Sequence, residues 1–441
     1  MMDRARNLIA LLRTQLWPIP AVITLLAAAL AYLLLTHGAA LGPRNAGEHW
    51  WLYSGEARTA RQLLSSLLSG LMTMTSLVVS VTFVILTLAA NQLGPRLISI
   101  FMADRQIQTV LGVFIGTILY VILIMRVLDD ELGSDGVPHL AVTAASVLTI
   151  LCLLALLFYI HKIARLIIAD NVVEAVAKEF RHTLHSLLPD GPVQPESKAE
   201  ASPGSTAYPL HLNSVGYLQV VDYERLVELA RKRSVVIEVN VRAGHFILRD
   251  GEHVRVFSRR PLDESLREDI RSTFTIGSSR TPAQDPEHGV GQLVEIATRA
   301  LSPGMNDPFT ARAVIDRLGA AFEVILTRHL QPRLLRDGGG AVRVMADRTD
   351  IDGLLDAAFH PIRQAGADHP AILIRIADIV RDLAAGATAA EQKHALIVQL
   401  LRLAQSARLG RLTVGDRKDV ARRIKVARRA VRNIPPAGAA S

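Results

Sequence analysis

The chain has 441 residues, with 49 Lys and Arg against 41 Asp and Glu for a formal net charge of +8, and half of it is hydrophobic. These proportions exclude intrinsic disorder and collagen-like repeats, and a lone cysteine, Cys152, excludes an intrachain disulfide or a multi-cysteine metal site. A mean hydropathy of +0.28 beside a basic balance points to a membrane part joined to a charged part.

The apolar residues come early. Trp17–Thr36 is uncharged and long enough to cross a hydrocarbon core of about 30 Å. Uncharged stretches at Ser69–Asn91, Ile107–Met125 and Leu140–Ile160 make four spans in all. A basic start followed by an apolar run also fits a signal peptide, with Gly38-Ala39-Ala40 as a cleavage-like site, but a signal's apolar core is shorter. With the N-terminus inside, Arg4, Arg6, Arg13, Arg96, Arg105, Lys162 and Arg165 flank the inner ends. Arg44, Arg58, Arg61 and Arg126 flank the outer ends, so the loop charges place both termini in the cytoplasm.

In the second span, Ser69, Thr73, Ser76, Ser80, Thr87 and Asn91 fall within an arc of about 60° at helical spacing. Such a stripe reads either as a hydroxyl-lined pathway for water or an ion, or as a packing seam of small hydroxyl residues. No Asp, Glu, Lys, Arg or His lies in the four apolar cores, which favours a passive channel over a charge-coupled pump. Gly112 and Gly116 in the third span make a flat groove for close helix contact, within one subunit or between subunits.

The domain organisation expected is a transmembrane domain over 1–168, a helical stalk over 169–188 and a flexible Pro-, Gly- and Ser-rich linker over 189–207. A small mixed α/β subdomain over 208–260 follows. Val215–Val221 and Val235–Val241 alternate as strands around a helix from Asp222 to Arg233, and Asp250-Gly251 signals a hairpin. Residues 261–441 read as helical, in segments Asp263–Phe274, Val290–Leu301, Pro308–His329, Ile351–Gln364, Pro370–Ala384, Ala390–Ser406 and Val414–Val431. The fold class is thus a multipass α-helical membrane protein with four transmembrane helices, then a cytoplasmic α+β domain that is mostly helical toward its C-terminus.

The densest cluster of unusual residues is 276–311. One reading brings Arg280, Asp285, His288, Asn306 and Asp307 to one ligand or ion site, with Asp and His for a divalent cation and Arg with a helix N-terminus for an anion. The other makes Asp307 an N-cap ahead of Pro308 and requires no chemistry. No established metal or catalytic motif is present, so no catalytic residue is assigned, and a divalent cation is the one cofactor these residue types admit.

Two motifs carry a resemblance: Asn91-Gln92-Leu93-Gly94-Pro95-Arg96, and the run from Arg299 through Ser302-Pro303-Gly304-Met305-Asn306-Asp307-Pro308 to Ala311. With them the chain resembles, over nearly its whole length, the bacterial predicted inner-membrane proteins known as domain of unknown function 2254. The resemblance implies a multipass protein of the inner membrane with a cytoplasmic domain, and it brings no activity or catalytic residue.

The excess charge lies wholly in Arg402–Arg432, where eleven Lys and Arg stand against Asp416 and Asp419 for +9, so the rest of the chain sums to −1. In the last helix Val420, Ile424, Ala427 and Val431 form a narrow apolar face, and Lys418, Arg422, Lys425, Arg429 and Arg432 lie roughly opposite. That face suits a solvated or subunit-packing surface, or anionic lipid headgroups, ahead of nucleic acid. The leading expectation is a homo-oligomer in the bilayer that conducts or gates a small solute or ion under control of its cytoplasmic domain. The alternatives are a membrane-anchored sensor or scaffold that binds a ligand or partner, and, last, a membrane-bound metal-dependent enzyme.

Overall fold

The computed structural model describes residues 16–41, 51–93, 102, 104–128, 137–166, 169–188, 206–328 and 330–433. The chain divides into two units, Met1–Asn171 and Val172–Ser441.

The first unit contains α1 (Pro18–Leu41), α2 (Ala57–Leu93), α3 (Arg105–Val127) and α4 (His139–Leu166). All four are long and apolar enough to cross a membrane, as the hydropathy pattern requires. Spanning structures must satisfy every backbone polar group internally, which is why these runs are continuous helices. Helix α3 is the most enclosed and buries Phe114, Tyr120, Val121 and Ile124. Its glycines accept α1: a Cβ on Gly112 would lie 2.8 Å from Ile23 Cδ1 and 3.0 Å from Pro20 Cα, and one on Gly116 would lie 3.2 Å from Ala27 Cβ. The small-residue groove therefore works within one chain.

Helix α2 turns Leu64, Leu71, Val78 and Thr82 inward. Several interior hydroxyls of the bundle are hydrogen-bonded within it. Thr82 Oγ1 lies 2.5 Å from the Tyr159 hydroxyl, which donates to Val78 O at 3.0 Å, and the Tyr120 hydroxyl donates to Ala141 O at 2.9 Å. At one end of the bundle Asp104 caps α3 through the N–H of Gln106 and Ile107 and pairs with Lys162 of α4 at 3.0 Å. At the other end Arg61 donates to Leu128 O at 2.9 Å.

The second unit begins with most of α5 (Ala169–Leu187). A helix was expected here, but as a stalk. Instead its apolar face, Val172, Val173, Val176, Ala177, Phe180 and Leu184, is buried. The alternation of these residues with Lys and Glu gives an amphipathic helix that packs, which a free-standing rod would not need. Most of the expected linker lies outside the described residues, and Thr206 and Ala207 already belong to the first strand.

Two sheets follow. One has the order β1 (Thr206–Leu210), β5 (Val254–Ser258), β3 (Val236–Val239), β8 (Val342–Ala346), β7 (Leu334–Arg336); the other is β4 (Phe246–Ile247), β2 (Gly216–Val221), β6 (Phe274–Gly277). Between strands lie α6 (Tyr223–Arg233) and α7 (Glu264–Arg271). Two expectations are corrected. The Asp250-Gly251 turn does not close a hairpin, because β4 pairs with β2 while β5 pairs with β1 and β3. The turn is instead a crossing between sheets, held where His211 Nδ1 meets Gly251 O at 2.9 Å. The boundary at 260 is also crossed, since β8 joins β3 in parallel and β6 starts where α7 was expected to continue.

The remainder is helical: α8 (Pro286–Ala300), α9 (Pro308–Thr327), α10 (Ile351–Ala365), α11 (Pro370–Leu383), α12 (Ala390–Leu409) and α13 (Val414–Arg432). Their core includes Phe322 and Phe359, with ring centroids 5.6 Å apart.

Candidate functional site

Two places carry the residues singled out by the sequence. On α2, Ser69, Thr73, Ser76, Ser80 and Thr87 do share one face, and all five are exposed. The side chain of Asn91, like the motif running to Arg96, lies outside the described residues. The buried seam of α2 lies about 180° away from this stripe. The stripe therefore does not line the interior of the four-helix bundle. Apolar shoulders flank it, with Met72 and Phe83 on one side at 51% and 65% exposure and Leu77 and Val84 on the other at 55% and 64%. Three of the hydroxyls bond along their own helix: Ser69 donates to Ser65 O at 3.0 Å, Thr73 to Ser69 O at 2.9 Å and Thr87 to Phe83 O at 2.9 Å. A hydroxyl so bonded keeps its lone pairs outward, available to water or to a neighbouring helix.

In the second unit, Arg280 and Asp285 do come together. Asp285 is buried, caps α8 by accepting from Glu287 N at 3.0 Å, and takes Arg280 Nε at 2.8 Å and Nη2 at 2.6 Å. Burial pushes the Asp285 carboxyl up, and Arg280 pulls it back. His288 sits half-buried on the first turn of α8, its N–H donating to Asp285 O at 3.2 Å. Asn306 and Asp307 follow the opposite end of α8, a helix of 15 residues and so about 22 Å long. The five residues thus do not converge on one site. Among the described residues no group of three or more His, Cys, Asp and Glu is placed to hold a metal ion.

What gathers around Arg280 and Asp285 was not visible in the sequence. Arg242 donates to Glu287 Oε1 at 2.9 Å and to Asp347 Oδ2 at 3.0 Å, joining the loop after β3 to α8 and to the loop after β8. Burial, with Arg242 nearby, holds the His245 imidazole below its usual range, so it is neutral at pH 7. Gly244 lies against the pair at φ +93°, where a Cβ would stand 2.4 Å from Asp285 Oδ2. Arg348 stacks on the Tyr223 ring at 3.8 Å from its centroid. A cleft of about 40 Å³ lined by Tyr223, Arg242, Gln284 and Arg348 beside the pair has room for a water or two. This cluster ties two sheets to a helix by charge-assisted bonds, which makes it a structural clamp.

Asp307 acts as the alternative reading of the sequence has it. It caps α9 through Phe309 N at 3.0 Å, Thr310 N at 3.2 Å and the Thr310 hydroxyl at 2.5 Å. Partial burial raises its pKa, but the Thr310 hydroxyl and the two N–H donors outweigh that, and the carboxyl is held below its ordinary range. Asp307→Ala is expected to cost the second unit about 1 kcal/mol. With the folded-state pKa lowered, that contribution is complete above the unfolded value near pH 4 and is lost as pH falls through the folded one. Melting curves of the two proteins should therefore differ at about pH 7 and draw together only as the pH falls below about 4 and through the lowered folded-state pKa.

The basic face of α13 is exposed as expected, with Val420, Ile424, Ala427 and Val431 buried on the other side.

A family model described as predicted membrane protein, DUF2254, matches residues 13–382. Uncharacterized proteins of Mycobacterium bovis and of Mycobacterium tuberculosis are each 26% identical over 363 residues, covering 81% of this chain and 70% of theirs. No solved structure matches.

Proposed function

We propose that this chain, which belongs to the DUF2254 family of predicted membrane proteins, assembles as a homo-oligomer in which α2 of each copy lines a shared path for a small solute or ion. The observation that carries this reading is the exposed hydroxyl stripe of α2 between two apolar shoulders. In a ring of copies the shoulders pack against neighbouring helices and the stripe faces the axis, where water replaces lipid around the hydroxyls. Inside the four-helix bundle Thr82 and Tyr159 bond each other and Tyr120 bonds the Ala141 carbonyl, so a path between subunits asks nothing of these interior groups. The loop charges favour a second unit on the cytoplasmic face of the bacterial inner membrane, where it regulates the path.

The test uses full-length protein in liposomes, with Cys152→Ala as background and cysteines placed at Thr73→Cys and Ser80→Cys. Both are expected to react with a charged, water-borne thiol reagent and to lose flux on reaction, while Leu77→Cys cross-links copies. Absence of flux together with a monomeric mass in detergent sinks the reading. A second reading, an anchored sensor, is favoured by the separate core and polar clamp of the second unit. It predicts that Thr73→Ala with Ser80→Ala leaves function intact.

A further inference from the structure

We infer that α13 and the turn before it form a docking surface for a bilayer bearing anionic headgroups. At that turn Leu409 is 79% exposed and Val414 is 70% exposed. The turn is a fixed one. Arg417 reaches back to Ala407 O at 3.2 Å and to Leu412 O at 3.4 Å, and Arg411 N–H donates to Asp368 at 2.7 Å. A Cβ on Gly410 would lie 2.5 Å from Ala367 O, so the turn sits tightly on the α10–α11 connection. Two apolar side chains are thus presented to the outside by a braced corner.

Cations surround that corner and continue from it. Arg408, Arg411 and Lys418 are exposed beside Leu409 and Val414. Along α13, Val414, Lys418, Lys425, Arg429 and Arg432 fall within an arc of about 60°. Arg422 takes Asp419, but among the described residues Lys418, Lys425, Arg429 and Arg432 have no carboxylate partner. Elsewhere in the unit arginines commonly find one, as Arg317 does with Glu174, Arg333 with Asp350 and Arg375 with Asp316. The apolar face of α13 is already used in packing. What remains outward is a basic stripe headed by apolar side chains.

That combination fits a lipid surface better than a nucleic acid. Phosphates alone would satisfy the cations, but Leu409 and Val414 at the head of the stripe gain only where acyl chains lie beneath the headgroups. A helix lying along the surface places each cation within reach of a headgroup, and each contributes roughly five-fold to surface affinity. The inference is independent of whether α2 lines a path.

The experiment uses full-length protein in nanodiscs, with an environment-sensitive fluorophore on Val414→Cys in the Cys152→Ala background. In discs containing phosphatidylglycerol the label is expected to shift to the blue and to be quenched by nitroxide-bearing lipid. In phosphatidylcholine discs it should remain aqueous. High salt, or the combined substitution of Lys418, Lys425, Arg429 and Arg432 by Gln, should abolish the shift. A label on Glu391→Cys, at the far end of α12, should stay aqueous throughout. The four substituted side chains are exposed, and unchanged circular dichroism confirms the fold. A label at 414 that stays aqueous in anionic discs overturns the inference. An equal shift in both lipids, or one that persists in detergent, also overturns it and assigns the surface to another copy of the chain. A duplex oligonucleotide that binds the same cations while lipid quenching is absent assigns it to nucleic acid.

Discussion

Gly244→Val is expected to be among the most damaging single substitutions in the second unit, costing about 3–5 kcal/mol. Two causes add. At φ +93° a β-branched side chain is strained by its own backbone. The new Cβ would also stand 2.4 Å from Asp285 Oδ2 and 2.9 Å from Arg280 Nη2. Neither atom can yield freely: Asp285 is buried and holds the first turn of α8, and Arg280 is its counter-charge. Separating them leaves a buried carboxylate without a partner, which costs far more than the pair itself contributes. Hydrogen exchange over Pro286–Ala300 in the full-length protein would show the start of α8 opening first. Adding Asp285→Ala should cost clearly less in the Gly244→Val protein than alone, because the pair is already broken. Full additivity would place the damage elsewhere.

The contrast between what was legible and what was not follows from the range of the interactions. The four candidate spans are local: a long apolar run in one stretch of chain reads as a helix able to cross a membrane, and each of the four runs is such a helix. Asp307 was legible as an N-cap because a cap acts over three residues, whereas the cap at Asp285 was not read, since the helix after it was expected to start only at Val290. The clamp was hidden because Arg242 meets Glu287 at 45 residues' separation and Asp347 at 105. The hairpin at Asp250-Gly251 failed because a turn signal fixes the local reversal and not the sheet that each arm joins. Strands β7 and β8 are short and each carries an arginine; the place of β8 beside β3 is set by packing of Val344 rather than by propensity, and β7 then pairs on β8.

The hydroxyl stripe of α2 exposes a deeper ambiguity. Helical spacing tells which side chains share a face, and it did so correctly for Ser69 through Thr87. It does not tell which way the face points. In water a polar face turns outward, but in lipid that inference reverses or weakens, because serine and threonine can return their protons to their own backbone. The orientation had to come from the opposite side of the helix, where Leu64, Leu71 and Val78 are wholly or almost wholly buried.

Gly289→Val is expected to expel α5 from the second unit, at a cost of about 3 kcal/mol or more. A Cβ on Gly289 would lie 2.3 Å from Phe180 Cδ2 and 2.7 Å from its Cγ, so the ring itself is in the way rather than the tip of a flexible chain. Phe180 is 2% exposed and is the largest side chain on the buried face of α5. The polar ties of that helix cannot replace it. Arg317 to Glu174 at 2.7 Å is a part-exposed pair, and Arg328 and Gln331 hold only the last carbonyls, at 2.9 Å to Leu188 O and 3.2 Å to Leu187 O. Proteolysis and hydrogen exchange within Ala169–Leu187 should therefore rise sharply in Gly289→Val. Phe180→Ala makes the room that valine needs, so combining the two should restore part of the protection lost in Gly289→Val alone. No restoration would mean that α5 is held by something other than this close approach. Under the proposed regulated path, α5, which follows the last candidate span in sequence, carries the link from the second unit. A regulated path predicts altered flux in Gly289→Val, while a passive anchor predicts none.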